Sequence, residues 1–147
     1  MTPEQTRLIR ESYPSIREVS GPLMQLFYGR LFQIAPSVRP MFRNDIGIQA
    51  RKFSDMLDAL VEGLDEFDQQ RPALRAMGLR HVAYGVVPEH YDILCAAFLW
   101  ALGHMMYPDF PPRLKDAWAA LIQEVSESMK AGAAELPPSP KPPTSKQ

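Results

Sequence analysis

The chain has 147 residues, of which 46% are hydrophobic and 22% charged, with a formal net charge of -1. That length suits one domain with a hydrophobic core and is short for two. The near-zero charge, with Lys and Arg scattered along the chain, provides no basic surface for nucleic acid. No apolar run approaches the ~18 residues of a transmembrane helix. We therefore expect a soluble protein that binds neither nucleic acid nor membrane.

Two further features of the composition bear on compartment and metal chemistry. The first twelve residues contain no apolar core of a signal peptide, so the cytoplasm is the expected location. Cys95 is the single cysteine, which excludes an internal disulfide and a cluster of thiolate metal ligands.

The N-terminal half shows helix signals in close succession. Thr2-Pro3-Glu4-Gln5 combines an N-cap, a proline at the first helical position and a capping-box glutamine. A second helix is indicated by apolar residues at helical spacing: Leu23, Leu26, Phe27, Leu31 and Ile34. Pro36 begins a short third element that ends near Phe42. A long helix from about Ile48 to Leu64 follows, with apolar residues three and four apart throughout.

The C-terminal half also reads as helix. Leu74, Met77 and His81 share one stripe of a short helix that begins near Pro72 and is ended by Gly85 and Pro88. Two long helices follow, the first through Tyr91 to Met105 and the second through Leu114 to Met129. Alternation with a period of two is absent, so the expected fold class is all-α.

The last segment differs in composition. Residues 137–147 contain five of the fifteen prolines and no hydrophobic residue, so we expect a disordered tail. The folded domain is accordingly expected to span residues 1–136.

Two polar residues occupy stripes that are otherwise apolar. Gln49 shares one face of the long helix with Phe53, Met56 and Leu60. A buried amide without partners costs about 1 to 3 kcal/mol, so Gln49 either has a functional partner or is an exposed residue of the first turn. His81 is either a core histidine bonded to backbone or a metal ligand.

Three segments together resemble a known family. They are Phe27-Tyr28 through Phe42, Gln49-Ala50-Arg51-Lys52-Phe53, and Arg80-His81 through Tyr84-Gly85-Val86. In order and separation they are similar to single-domain bacterial globins, the family of flavohaemoglobin haem domains and neuroglobin-like haemoglobins. The resemblance extends from residue 3 to about residue 134. It implies a globin fold of about seven to eight helices, arranged three over three around haem b.

The resemblance also implies roles for particular residues. His81 is expected to bind the iron, with its other ring nitrogen bonded to the carbonyl of Met77 or Gly78. Tyr28 and Gln49 are expected to face the bound gas on the distal side. Further haem contacts are implied for a set of flanking residues: Phe42, Lys52, Phe53, Arg80, Tyr84, Val86 and Tyr91. Lys52 and Arg80 are either partners of a haem propionate or solvated.

The proximal side departs from the family pattern. Flavohaemoglobin-like haem domains support the proximal histidine with a tyrosine and a glutamate. Tyr91 resembles that tyrosine, but Ala133 occupies the place of the glutamate, and Glu135 is two positions away. The support of His81 is therefore expected to be incomplete, which disfavours fast redox turnover.

The implied function is reversible binding of oxygen, with carbon monoxide and nitric oxide as further ligands. Hydrogen bonds from Tyr28 and Gln49 are expected to make oxygen release slow. An oxygen-binding protein is favoured over an enzyme. The alternatives are a nitric oxide dioxygenase, which would need an external reductase because the chain has no GxGxxG motif, and a gas sensor. A cofactor-free interaction domain is a further reading, and the protein is expected to be a monomer or a dimer.

Overall fold

The computed structural model describes residues 1–42 and 45–135, and the predicted tail lies outside them. Those residues form no strand. The six α-helices are α1 (Pro3–Glu18), α2 (Ser20–Ile34), α3 (Ile46–Glu62), α4 (Phe67–Val82), α5 (Pro88–Met106) and α6 (Pro112–Ala134). Two 3-10 segments, Pro36–Met41 and Leu64–Glu66, complete the set. The all-α prediction and its helix number are thus confirmed.

The start of α1 follows its sequence signals. The Thr2 hydroxyl accepts a hydrogen bond from the Gln5 backbone N–H at 3.1 Å. The Gln5 side-chain oxygen accepts one from the Thr2 N–H at 3.0 Å. Pro3 is the first helical residue. This reciprocal pair satisfies two of the N–H groups that a helix start leaves free, so the predicted capping box is confirmed.

The helices pack three over three around a single hydrophobic core. The most extensive contacts join α4 to α6 and α2 to α5, with α1 also packing on α6. The largest fully buried side chains are Trp118, Phe27 and Phe98. Among the described helices, none has the length and apolar content that crossing a bilayer requires.

One predicted helix boundary is wrong. The helix that carries His81 begins at Phe67 rather than near Pro72, and it is 16 residues long rather than short. Pro72 lies inside it, where the missing N–H costs one hydrogen bond. The turn before Pro72 is held by tertiary contacts, because Phe67 is buried and Arg71 binds α6. Those contacts outweigh the helix-breaking tendency of the proline.

Arg71 joins α4 to α6 through several polar contacts. Its guanidinium donates to Glu124 at 2.6 Å and to Ser128 at 3.0 Å, both on α6. It also donates to Asp68 at 2.8 Å and lies 4.8 Å from the Phe67 ring centroid. A guanidinium with this many partners keeps one geometry, which orients the first turns of α4.

Two glycines let α4 and α6 cross with their backbones in contact. A Cβ on Gly78 would lie 1.9 Å from the carbonyl oxygen of Met129. A Cβ on Gly132 would lie 2.0 Å from the carbonyl oxygen of Arg75. No side chain fits at either position, so the crossing requires glycine on both helices. It lies one turn before His81 and sets the position of that turn.

Candidate functional site

His81 lies in the last turn of α4, and its ring is half-buried. The Nδ1 atom lies 2.7 Å from the carbonyl oxygen of Met77, one turn earlier. A carbonyl can only accept, so Nδ1 carries the proton and donates it. The Nε2 atom of the neutral ring is then left with a free lone pair. The predicted acceptor for the His81 ring is confirmed.

The surroundings of His81 favour its neutral form. Burial lowers the pKa of the His81 imidazole, and the nearby Arg80 charge lowers it further. The hydrogen bond to the Met77 carbonyl raises the pKa, and its effect is smaller than that of burial but larger than that of Arg80. A neutral imidazole is the form that binds a metal. The His81 ring is therefore held in one orientation, and its surroundings favour the uncharged form.

The chain turns sharply directly after His81. Gly85 has a φ of +89°, a left-handed conformation that favours glycine. The Val86 N–H donates to the His81 carbonyl oxygen at 3.2 Å, which closes the turn. Val86 is half-buried, whereas Tyr84 is 59% exposed, with its ring edge-on to the His81 ring at 5.8 Å. The structure thus brings Tyr84 to His81 but leaves much of it in solvent.

A second group of side chains forms where α2, α3, α5 and the Pro36–Met41 segment meet. We call it the distal aromatic cluster, and it consists of Phe27, Tyr28, Phe32, Phe42, Phe53 and Phe98. The Tyr28 ring lies 5.6 Å from that of Phe42, edge to face. The Phe27 ring lies 5.0 Å from that of Phe53 on α3. Tyr28, Phe42 and Phe53, predicted separately, therefore share one cluster.

The Tyr28 hydroxyl is the one polar side-chain group of this cluster. The side chain is 5% exposed, and burial raises the pKa of its phenol to about 12. Within residues 1–42 and 45–135, its hydroxyl has no hydrogen-bond partner. A buried hydroxyl without a partner costs about 1 to 3 kcal/mol. The group is thus an uncharged donor that a bound ligand could satisfy.

Gln49 lies in the first turn of α3, one turn before Phe53, and is half-buried. The start of α3 is capped by the Asp45 carboxylate, which accepts from the Gly47 N–H at 2.8 Å. Over the described part of the chain, the Gln49 amide makes no side-chain hydrogen bond. Lys52, three residues later, is exposed and forms no ion pair there, and the same holds for Arg80.

Neither Tyr91 nor Glu135 is a hydrogen-bond partner of His81 among the described residues, as expected for an incomplete proximal support. Tyr91 is buried, and burial raises the pKa of its phenol, while Lys130 lies 5.9 Å from its ring centroid. Glu135 pairs instead with Arg75 at 4.0 Å. Because the Nδ1 proton of His81 is bonded to a backbone carbonyl, the imidazole has no carboxylate partner to increase its basicity.

The residues present fit a porphyrin. Although α3 and α4 are successive in sequence, α3 packs on α1 and α2 while α4 packs on α6. Several apolar side chains of α3, α4 and the segments next to them pack on the core yet remain half-buried: Phe42, Phe53, Met56, Met77 and Val86. A single imidazole nitrogen is a small donor set for a bare ion. It suits iron that a macrocycle already holds by four nitrogens.

Sequence reasoning missed the glycine crossing that positions His81. Gly78 and Gly132 were available as a signal, because glycine inside a helical pattern often marks close backbone approach. Which two glycines approach each other could not be read from spacing, since they lie 54 residues apart in the chain.

Comparison with known proteins gives a consistent family assignment. The sequence model described as "Globin" matches residues 25–129. A flavohemoprotein of Deinococcus radiodurans is 26% identical over 132 residues, covering 88% of this chain and 33% of that protein. An anaerobic nitrite reductase of Oryza sativa is 22% identical over 132 residues, covering 86% of this chain and 91% of that protein. The chain spans about a third of the length of the flavohemoproteins it matches.

Solved structures give the same fold. An engineered carbene transferase from Rhodothermus marinus, named as a candidate nitric oxide dioxygenase, superposes with a TM-score of 0.83 at 23% identity. The superposition covers 91% of this chain and 94% of the Rhodothermus marinus chain. A bacterial globin from Campylobacter jejuni gives a TM-score of 0.79 at 24% identity, with coverage of 90% and 96%. At these identities the structural likeness establishes the fold.

Proposed function

The chain belongs to the globin family, whose cofactor is haem, and we propose that it binds oxygen reversibly. In this proposal His81 holds the iron, and Tyr28 and Gln49 contact the bound gas. One observation carries it: the Tyr28 phenol is buried, uncharged and without a partner among the described residues. A diatomic ligand that accepts a hydrogen bond would satisfy that phenol.

Haem held by His81 would supply an iron that binds oxygen, carbon monoxide and nitric oxide. The residues around His81 orient its ring, and other residues of the site surround the macrocycle. Met77 fixes the tautomer and the rotation of the His81 ring, so that Nε2 points away from α4. Val86 and Phe42 supply apolar surface for the macrocycle, and Lys52 and Arg80 supply charge for its propionates.

The distal residues discriminate between gases. Oxygen held at the haem would be a partly charged hydrogen-bond acceptor, whereas carbon monoxide would be a weak one. A hydrogen bond to a charged acceptor contributes about 1.5 to 3 kcal/mol, so donation by Tyr28 strengthens oxygen binding selectively. Gln49, half-buried on α3, provides the second donor of the pair. The pocket therefore favours tight oxygen binding with slow release.

Replacing Tyr28 by phenylalanine tests this assignment directly. We expect oxygen release to become roughly tenfold to a hundredfold faster, because the lost hydrogen bond stabilised only the bound state. Stopped-flow mixing of the oxygenated protein with carbon monoxide measures the rate. The aromatic packing against Phe42 is retained in the variant, since only the hydroxyl is removed.

Carbon monoxide provides the internal control for this substitution. Its release rate should change much less than that of oxygen, because it is a weak hydrogen-bond acceptor. A Gln49→Leu variant should also release oxygen faster, which identifies the contribution of the amide. Unchanged oxygen release in Tyr28→Phe would remove Tyr28 from the site.

The pH dependence of oxygen release follows from the state of the Tyr28 phenol. Its pKa is raised by burial to about 12, so the phenol stays protonated and able to donate throughout the neutral range. We expect the release rate to be flat from about pH 6 to about pH 10, the usual pKa of a tyrosine. Stopped-flow rates across this range are the measurement. A rise near the upper end would mean that the phenol ionises with an ordinary pKa.

Nitric oxide dioxygenation is the second candidate, favoured by the name of the Rhodothermus marinus neighbour. The reaction consumes nitric oxide and oxygen to give nitrate and leaves ferric iron, so turnover needs an electron donor. The contact of His81 with a backbone carbonyl argues against rapid cycling, because no carboxylate raises the basicity of the imidazole.

Turnover separates the two functions. With oxygen and an added flavoprotein reductase, we expect nitric oxide consumption to stop near one equivalent per haem. An electrode specific for nitric oxide gives the stoichiometry, and reduction of the ferric protein by the same reductase is followed by its visible spectrum. Many equivalents consumed per haem would establish the dioxygenase instead.

A further inference from the structure

A tyrosine on α1 and an aspartate on α3 form a hydrogen-bonded pair. Tyr13 on α1 is 8% exposed, and its hydroxyl donates to the Oδ1 atom of Asp58 on α3. The Arg17 Nε atom lies 3.6 Å from the same oxygen. The pair lines a cavity of about 240 Å3 between α1, α2 and α3. The phenol thus has a carboxylate acceptor beside solvent-accessible space.

The Tyr13 ring also lies next to the most buried indole of the protein. Trp118 on α6 is fully buried, and its ring centroid is 6.1 Å from that of Tyr13, at an interplanar angle of 40°. Its indole N–H donates to the Ser12 hydroxyl at 3.0 Å. Both rings belong to the hydrophobic core that also contains the buried Phe27 and Phe98. Phe98 in turn lies 5.3 Å from Phe53, measured between ring centroids, and Phe53 is one of the expected haem contacts.

We propose that Tyr13 is a one-electron redox site, which passes an electron through Trp118 and its phenolic proton to Asp58 when peroxide oxidises the haem protein. The site would draw oxidising equivalents away from the cofactor. This inference depends on haem binding, which membership of the globin family implies, and it does not depend on the rate of oxygen release.

The proton acceptor is what distinguishes this phenol. A tyrosine that loses an electron becomes a strong acid, so oxidation near neutral pH requires a base to take the proton. Burial and the bond to Asp58 both raise the pKa of the Tyr13 phenol, so it stays protonated until it is oxidised. Asp58 can receive that proton without any rearrangement, because the hydrogen bond already exists.

The other four tyrosines lack this combination. Tyr28 and Tyr91 are buried and have no carboxylate acceptor among the residues described. Tyr84 and Tyr107 are 59% and 82% exposed. Oxidation of either buried phenol would strand a proton in the core, and the two exposed rings lie at the surface. Tyr13 alone of the five combines an acceptor with a buried aromatic neighbour.

Reduction of hydrogen peroxide to two molecules of water takes two electrons and two protons, and both protons come from solvent. The bound haem would supply one of the electrons, and Tyr13 supplies the other by way of Trp118, which is oxidised and then reduced again. The Tyr13 proton moves to Asp58, which leaves a neutral tyrosyl radical beside a protonated carboxyl group. An electron from ascorbate, with return of the same proton, restores the pair.

The test is electron paramagnetic resonance of the ferric haem-loaded protein, frozen within milliseconds of adding hydrogen peroxide. We expect a tyrosyl signal whose line shape narrows when ring-deuterated tyrosine is incorporated. Tyr13→Phe should reduce the signal at least about tenfold. Asp58→Asn should reduce it by a similar factor, since a positioned proton acceptor is worth roughly a hundredfold.

Tyr107→Phe is the matched control, because the Tyr107 ring is largely exposed. The tyrosyl signal of this variant should equal that of the unaltered protein. The reduced carbon monoxide spectrum of each variant confirms that haem is bound, which separates loss of the redox site from loss of the cofactor. If Tyr13→Phe does not take up haem, the tyrosyl signal of Asp58→Asn decides the test. An unchanged tyrosyl signal in either variant, or its loss in Tyr107→Phe, would overturn the proposal. Peroxide consumption without any tyrosyl radical in the unaltered protein would do so as well.

Discussion

Replacing His81 by glycine should abolish stable haem retention, and added imidazole should restore it. In the proposed site the His81 side chain provides the nitrogen that binds iron, so free imidazole should be able to replace it in the glycine variant. Loss of a group that merely supports a ligand costs roughly 10- to 100-fold in metal affinity, so loss of the ligand itself should cost more. Haem transfer to an apoprotein acceptor, followed at the Soret band, measures the change.

A second histidine of the chain provides a closely matched control. His104 on α5 has the same local contact, with Nδ1 lying 3.1 Å from the carbonyl oxygen of Trp100 one turn earlier. It is exposed, whereas His81 is half-buried beside Met77. His104→Gly should therefore leave haem retention unaltered. If His81→Gly holds haem as firmly as this control without imidazole, another residue binds the iron.

Gly78→Ala should destabilise the helical core strongly. The new Cβ would meet the Met129 carbonyl oxygen at 1.9 Å, and a backbone atom cannot rotate away as a side chain can. Forcing α4 from α6 should destabilise the protein by about 3 kcal/mol, at the upper end of overpacking effects. For a chain of this length that corresponds to a melting temperature about 6 to 12 °C lower. Thermal unfolding followed by circular dichroism measures it.

Gly29→Ala is the control with the opposite expected sign. Gly29 lies inside α2, and a Cβ there would meet nothing within 4 Å. Alanine is a better helix former than glycine by about 0.8 to 1 kcal/mol, so this variant should be slightly more stable. If both substitutions changed the melting temperature equally, the backbone contact between α4 and α6 would not be the cause.

The two glycine variants also separate position from stability. Because Gly78 precedes His81 by one turn, displacement of α4 should change the iron–histidine stretching frequency of the reduced protein. Gly29→Ala should leave that frequency unchanged. The resonance Raman spectrum therefore reports the geometry of the proximal bond independently of the melting temperature.

Local sequence determined the helices and the order of the site residues. The capping box at Thr2, the three-and-four spacing around Phe53 and the glycine after His81 act within a few residues, so spacing alone predicts them. The His81 contact with the Met77 carbonyl was predictable for the same reason, since it spans one helical turn. Resemblance to the globin family then supplied roles for Tyr28 and Gln49, which remain predictions.

Tertiary structure decided what joins distant parts of the chain. The start of α4 at Phe67, the glycine crossing at Gly78 and the Tyr13–Asp58 pair each depend on partners dozens of residues away. No periodic pattern encodes such contacts, because their energy comes from the packing of one helix on another rather than from the helix itself. Pro72 shows the consequence: its local preference would end a helix, yet burial of Phe67 extends the helix through it.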